Sequence, residues 1–131
     1  MKITLFILLS LFLSGSVGWS QSVPQNLDVQ SFNEKMRRTP ARTVLDVRTA
    51  QEVAGGTLPG AVNIDFFTPD FARQLGRLDK VKPVFVYCAV GGRSSKATQQ
   101  LQQAGFETVY NLSGGMQAWQ QAGYLTTTKT R

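Results

Sequence analysis

The chain has 131 residues, with 14 Lys and Arg, 8 Asp and Glu, no His and one Cys, and its formal net charge is +6. A single cysteine excludes an intrachain disulfide framework and multi-cysteine zinc or iron–sulfur sites, and the lack of histidine excludes Ser-His-Asp triads, Cys-His dyads and His-ligated metals. The length suits one domain, and 42% hydrophobic with 17% charged residues is the composition of a packed globule rather than a disordered chain.

The N-terminal segment is typical of a secretory signal peptide. Lys2 precedes an apolar run from Ile3 to Leu13, and small residues lead from there to Ser20. The alternative is a membrane anchor, but spanning a bilayer takes about 20 apolar residues and this run has eleven. We therefore expect export to a bacterial periplasm with cleavage after Ser20, or after Gly18 as the second choice, and no stable membrane anchor afterwards.

Residues 21–131 would then form the mature domain, with an ordered core of about 26–125 and a loose polar tail from Thr126. The basic residues are scattered rather than interleaved with aromatic ones, so we expect a basic surface that attracts small anions and no nucleic-acid partner. We also expect a monomer without cofactor or metal. A lone thiol in an oxidising compartment is liable to oxidation, so its retention needs a reason.

Predicted strands alternate with predicted helices along this domain. The β-rich segments are Thr43–Val47, Ala61–Ile64, Pro83–Tyr87 and Thr108–Leu112. One predicted helix follows the cap residue Asp28, and a second starts at Thr68 and Pro69 and continues to Leu78. Two more run over 94–104 and 116–122, with a single helical turn around Glu52. Such alternation indicates an α/β domain whose parallel sheet is covered by helices on both faces.

Cys88 lies where a parallel sheet usually carries its chemistry, directly after the most apolar strand and before a helix. The glycines at 91 and 92 let backbone N–H groups converge on the sulfur, while a helix start and Arg93 add positive charge. These features favour the thiolate, so we expect a lowered pKa for Cys88 and a loop that can hold a small anion. The alternative is an inert buried cysteine, which would need none of these neighbours.

Four segments in this order resemble the motifs of the rhodanese (sulfurtransferase) family, in its single-domain exported form. They are Asp46-Val47-Arg48 with Glu52, the segment from Gly56 to Ile64, Tyr87-Cys88 with Gly91 and Arg93-Ser94, and the segment from Leu112 to Trp119. Thr57 departs from the pattern, because histidine is common there. The resemblance implies a rhodanese-like α/β fold with an open, mainly parallel five-stranded sheet.

The resemblance further implies that Cys88 is a nucleophile that takes the outer sulfur of thiosulfate, releases sulfite and passes the sulfur from a persulfide to cyanide or a thiol. The predicted substrate-binding residues form the loop after it: Ala89, Val90, Gly91, Gly92, Arg93 and Ser94. Arg93 is the best candidate to hold the thiosulfate oxygens, and a salt-bridged residue at the helix start is its alternative role.

Other residues are expected to support the site. Asp46 and Arg48 are expected to form an ion pair that braces the loop without touching substrate. Gly114, Gly115 and Trp119 suit turn and packing roles, whereas Phe66 and Phe67 would either line the mouth of the site or cover the sheet.

Two rival functions remain open. Related phosphatases and arsenate reductases carry five residues between cysteine and arginine, and this chain has four, which disfavours a phosphate-sized ring. The other rival is a persulfide carrier or binding module that serves a partner protein and turns over slowly with small donors.

Overall fold

A computed structural model of the chain describes residue 15, residue 18 and residues 23–128. Apart from these two glycines, the predicted signal peptide lies outside the described residues, as do residues 129–131. The predicted export, cleavage site and monomeric state stay predictions.

The structure contains a sheet of five strands: β1 (Gln25–Leu27), β2 (Thr43–Asp46), β3 (Ala61–Asn63), β4 (Val84–Tyr87) and β5 (Val109–Leu112). All neighbouring strands are parallel, and their order in the sheet is β1-β5-β4-β2-β3. This arrangement confirms the predicted α/β fold. The sequence did not locate β1, because Gln25 and Asn26 are exposed and the short edge strand has no apolar pattern.

Four helices connect the strands: α1 (Val29–Arg37), α2 (Ala50–Val53), α3 (Phe71–Leu75) and α4 (Gly92–Gln103). In the described part of the chain, a fifth helix, α5 (Gly115–Gln121), follows β5. Asp28 caps α1 as predicted, since its carboxylate accepts a hydrogen bond from the Ser31 amide. Helix α4 begins two residues before the predicted Ser94, because Gly91 supplies the turn with φ of 114°. None of the helices in the described part of the chain is long and apolar enough to cross a bilayer.

The core has two halves, one on each face of the sheet. Alternate residues of β4 divide between them, with Val84 and Val86 on one face and Phe85 and Tyr87 on the other. The first half contains apolar residues of α3 and α4: Phe71, Leu75, Ala97 and Leu101. The second contains those of α1 and α5: Phe32, Met36, Met116 and Trp119. Helices therefore cover both faces, and Trp119 has its predicted packing role.

The chain after α5 is hydrogen-bonded to α5 itself and to the segment between α2 and β3. Leu125 accepts a hydrogen bond from the Trp119 indole N–H at 3.0 Å, and the backbones of Thr57 and Thr127 exchange two hydrogen bonds of 2.9 Å. The prediction of a loose tail from Thr126 is thus wrong at Thr127, because backbone pairing over 70 residues of separation leaves no local pattern in the sequence. We call the segment from Leu125 to Thr127 the C-terminal strap.

Replacing Thr127 with proline should loosen the strap, because proline cannot donate the backbone hydrogen bond to Thr57. A lost hydrogen bond of this kind costs about 1 kcal/mol, so the melting temperature should fall by about 4–8 °C. The Thr57 amide should also exchange its hydrogen faster in hydrogen–deuterium exchange. Thr128→Pro is the control, and an equal effect of that substitution would contradict a specific role for the strap.

Candidate functional site

The loop after β4 is held in place by the start of α5. The carbonyl oxygens of Cys88 and Ala89 accept hydrogen bonds from the amides of Met116 and Gln117, at 2.8 and 3.0 Å. A side chain at Gly115 would come too close, because a Cβ atom there would lie 2.4 Å from the Cys88 carbonyl oxygen. Because residue 115 is a glycine, the start of α5 can lie close to the backbone of Cys88 and Ala89.

The sulfur of Cys88 faces polar hydrogens within its own loop. The Gly91 amide donates to Sγ at 3.0 Å, and the Ser94 hydroxyl donates to it at 3.4 Å. Ser94 is fully buried, and Cys88 is 1% exposed. The same Ser94 hydroxyl lies 3.2 Å from the Gly91 carbonyl oxygen, which ties the two ends of the turn together. We call Cys88 and residues 89–94 the Cys88 loop.

The pKa of Cys88 is lowered despite burial. Burial acts to raise the pKa of this thiol, but hydrogen bonds from the Ser94 hydroxyl and from the amides of Ser94, Gly91 and Val90 together outweigh it. The direction is the predicted one, and the hydrogen bonds of the loop account for it. The hydrogen bonds of the loop therefore favour the thiolate form of Cys88 although its side chain is buried, and its role as nucleophile stays a prediction.

Arg93 binds a carboxylate in this structure. Its two terminal nitrogens donate to the two carboxylate oxygens of Glu52, each at 2.7 Å, and its guanidinium lies 5.5 Å from the ring centre of Phe67. The geometry is that of the alternative predicted from the sequence, a salt-bridged residue at the helix start. Contact between Arg93 and a substrate stays a prediction.

A buried polar network lies behind the loop, as expected for Asp46 and Arg48. The Arg48 guanidinium donates to both oxygens of Asp46, with the shortest contact at 2.7 Å, and to the Gly56 carbonyl at 2.7 Å. The Tyr87 hydroxyl donates a hydrogen bond to the Asp46 carboxylate at 2.6 Å and accepts one from the Leu58 amide at 3.0 Å. Since Tyr87 directly precedes Cys88, this network connects the end of β2 to the start of the Cys88 loop.

The other predicted loop residues occupy its outer side. Val90 is 64% exposed, and Gly92 is the first residue of α4. A depression of about 330 Å³ opens beside the loop, lined in part by Val90 and Glu52. Phe66 packs against the core, whereas Phe67 is 66% exposed. Within residues 23–128, no three His, Cys, Asp or Glu side chains come together where they could hold a metal ion.

The Rhodanese-like domain family matches residues 28–122. The chain belongs to this family. Among curated relatives, it is 31% identical to a sulfurtransferase of Allochromatium vinosum, over 74% of this chain and 89% of the relative. It is 34% identical to the thiosulfate sulfurtransferase GlpE of Shewanella oneidensis, over 70% of this chain and 91% of that protein.

Solved structures agree with this membership. A rhodanese-related protein of Thermoplasma volcanium superposes with a TM-score of 0.69 at 29% identity, covering 79% of this chain and 97% of the other. A rhodanese-like domain protein of Staphylococcus aureus gives a TM-score of 0.68 at 27% identity, covering 81% and 99%. This rhodanese-like domain thus belongs to a family whose curated members include sulfurtransferases.

Sequence reasoning missed two groups that shape the site of this rhodanese-like domain. The Glu52 carboxylate was noted as part of a motif, but its pairing with Arg93 was not foreseen. Its local signal was the Thr49-x-x-Glu52 capping box, in which each residue's side chain accepts a hydrogen bond from the other's backbone amide. Tyr87 was noted in the apolar strand and in the Tyr87-Cys88 motif, but its hydroxyl was given no role. The hydrogen bond from that hydroxyl to Asp46 joins residues 41 apart.

Proposed function

We propose that this rhodanese-like domain is a periplasmic thiosulfate sulfurtransferase that uses a Cys88 persulfide. The observation that carries the proposal is the position of Sγ, which receives hydrogen bonds from the Gly91 amide and the Ser94 hydroxyl inside a glycine turn. The similarity to GlpE, a thiosulfate sulfurtransferase in name, supports the choice of donor. The apolar run from Ile3 to Leu13 supports the periplasmic location.

In the first step, the Cys88 thiolate attacks the outer sulfur of thiosulfate. A new S–S bond forms to Cys88 while the S–S bond of thiosulfate breaks, and sulfite leaves with the electron pair of that bond. The lowered pKa of Cys88 keeps more of the thiol in the attacking thiolate form. The amides that stabilise this thiolate also suit the terminal sulfur of the persulfide, which carries the negative charge after transfer.

In the second step, an acceptor removes the outer sulfur. Cyanide attacks it, a C–S bond forms, the S–S bond to Cys88 breaks, and the thiolate leaves with the electron pair to regenerate the protein. A thiol acceptor reacts at the same sulfur atom. The two half-reactions predict ping-pong kinetics.

A persulfide carrier is the second candidate, and the surface around the loop favours it. Cys88 is almost inaccessible, whereas Phe67 and Val90 expose about two-thirds of their surfaces nearby, at 66% and 64%. Val90 lies within the Cys88 loop and the ring of Phe67 lies against Arg93 of the same loop, so a partner protein that docked on the loop would cover both side chains. A carrier would gain sulfur on Cys88 from a partner but turn over slowly with small donors.

Cys88→Ser should abolish thiocyanate formation from thiosulfate and cyanide, because a serine hydroxyl cannot form the persulfide. The wild-type protein should gain the mass of one sulfur atom after thiosulfate treatment, and the variant should not; intact mass spectrometry measures both. The wild-type rate should rise with pH to a plateau, because thiolate is the attacking form, and the midpoint of the rise should lie below that of an ordinary cysteine thiol, since the pKa of Cys88 is lowered. Residual turnover in the variant would contradict the proposal, and sulfur loading with negligible turnover would favour the carrier.

A further inference from the structure

The charges beside the Cys88 loop are already paired before any substrate arrives. Arg93 presents both terminal nitrogens to Glu52 at 2.7 Å, so the end of its guanidinium that best fits an oxyanion is occupied. The ring of Phe67 lies 5.5 Å from the same guanidinium. The pair is only partly buried, with side-chain exposures of 19% for Arg93 and 34% for Glu52, so an incoming ion can approach it.

Glu52 is itself fixed in position and in charge. Its Oε2 also accepts hydrogen bonds from the Thr49 amide and hydroxyl, at 2.9 and 3.0 Å. The hydrogen bond from Arg93 is the largest influence on the carboxyl and lowers the pKa of Glu52 to about 2. The carboxylate is therefore ionised throughout the pH range in which the thiol is active. An anionic donor meets a fixed negative charge beside a positive charge that is already neutralised.

We propose that Glu52 determines which sulfur donors the site accepts, by withholding Arg93 from anions and by repelling a donor in proportion to its charge. The amides of the Cys88 loop then remain the main anchor for the donor. The favoured class is the singly charged donors of sulfane sulfur, such as organic thiosulfonates and alkyl persulfides, over the doubly charged thiosulfate. This inference rests on the proposed function, because it concerns the donor for the same Cys88 persulfide.

The chemistry of the favoured donors is the same as that of thiosulfate. With methanethiosulfonate, the Cys88 thiolate attacks the terminal sulfur, a new S–S bond forms, the bond from that sulfur to the sulfonyl group breaks, and methanesulfinate leaves with the electron pair. The two donors differ by one unit of charge, and Coulomb repulsion from Glu52 is therefore about half as large for the thiosulfonate.

The alternative is that Glu52 only braces the loop by holding Arg93. The two interpretations predict opposite signs for removal of the charge. If Glu52 acts as a brace, its loss loosens the loop and weakens the binding of every anion. If it determines selectivity, its loss frees Arg93 and strengthens anion binding, more for a dianion than for a monoanion.

The test compares the wild-type chain with Glu52→Gln, which removes the charge and keeps nearly the same shape. We expect kcat/KM for thiosulfate to rise about tenfold and that for methanethiosulfonate about threefold, since the repulsion scales with charge. The preference for the singly charged donor should therefore fall about threefold. Glu52→Ala should shift the preference in the same direction. Equal losses with both donors would overturn the inference and indicate a brace.

A binding measurement separates this inference from the proposed function. Sulfate has the charge of thiosulfate but lacks the outer, sulfane sulfur that Cys88 would take. The amide signals of Gly91 and Ser94 in ¹H–¹⁵N spectra report its binding at constant ionic strength. We expect its dissociation constant to fall about tenfold in Glu52→Gln and by less than twofold in Thr49→Val, which loosens Glu52 but keeps its charge. No tightening in Glu52→Gln, or equal tightening in Thr49→Val, would overturn the inference. If the wild-type chain transferred sulfur from neither thiosulfate nor methanethiosulfonate, the proposed function would be refuted instead.

Discussion

Gly115→Ala should remove nearly all sulfurtransfer while leaving Cys88 in the chain. A Cβ atom at this position would lie 2.4 Å from the Cys88 carbonyl oxygen and 2.7 Å from the carbonyl carbon and oxygen of Ala89. All three are backbone atoms of the loop, so the clash cannot be relieved by turning a side chain. The loop must move away from α5, and the hydrogen bonds from Met116 and Gln117 lengthen or break.

The expected size of this effect follows from the geometry. Displacing a reacting group by about 1 Å costs about 100-fold in rate, so kcat/KM should fall by at least about 100-fold. The φ of Gly115 is 56°, in the left-handed region, where an alanine costs about 1–2 kcal/mol in addition to the clash. Steady-state kinetics and urea unfolding measure the two effects on the same protein.

Gly105→Ala is the matched control for backbone strain. Gly105 has φ of 90°, but a Cβ atom there would meet nothing within 4 Å, and the residue lies at the far end of α4. The Gly105→Ala variant should have a free energy of unfolding lower by about 1 kcal/mol, and its sulfurtransfer activity should be unchanged. If Gly105→Ala were as inactive as Gly115→Ala, global destabilisation rather than displacement of the Cys88 loop would explain the loss.

The sequence predicted the parts of this domain that depend on local patterns. The apolar run before Cys88 predicted β4, and the glycines after it predicted the turn whose Gly91 amide faces Sγ. The capping residue Asp28 predicted the start of α1. In each case the physical signal lies within a few neighbouring residues, which is why a single sequence was sufficient.

Features that depend on distant pairing were missed. Strand β1 exists because its backbone pairs with β5, and its own residues carry no β pattern. Arg93 was expected to face a substrate because the sequence shows its charge but not its partner, and Glu52 lies 41 residues away. The strap was missed for the same reason. The candidate nucleophile was therefore predictable, whereas the charge state of its surroundings needed the structure.

Among substitutions in the buried polar network of Asp46, Arg48 and Tyr87, Asp46→Asn should lower the free energy of unfolding the most. Asp46 is fully buried, and its carboxylate accepts hydrogen bonds from Arg48 and Tyr87. The neutral amide of asparagine leaves the Arg48 guanidinium without its counter-charge in a site that is 5% exposed. Breaking a buried ion pair from one side costs about 3–5 kcal/mol, so the melting temperature should fall by more than about 10 °C.

The control for Asp46→Asn is the same substitution in an exposed pair. Asp70 lies 3.3 Å from Arg73, whose side chain is 74% exposed, and surface pairs contribute about 0–1 kcal/mol. Asp70→Asn should therefore melt within a few degrees of the wild-type chain. Tyr87→Phe removes one of the hydrogen bonds to Asp46 but keeps the ion pair, and it should fall between the two. If Asp46→Asn melted close to Asp70→Asn, the buried pair of Asp46 and Arg48 would stabilise the protein no more than a solvent-exposed pair does. That result would contradict the view that the Asp46–Arg48 pair joins β2 to the Cys88 loop.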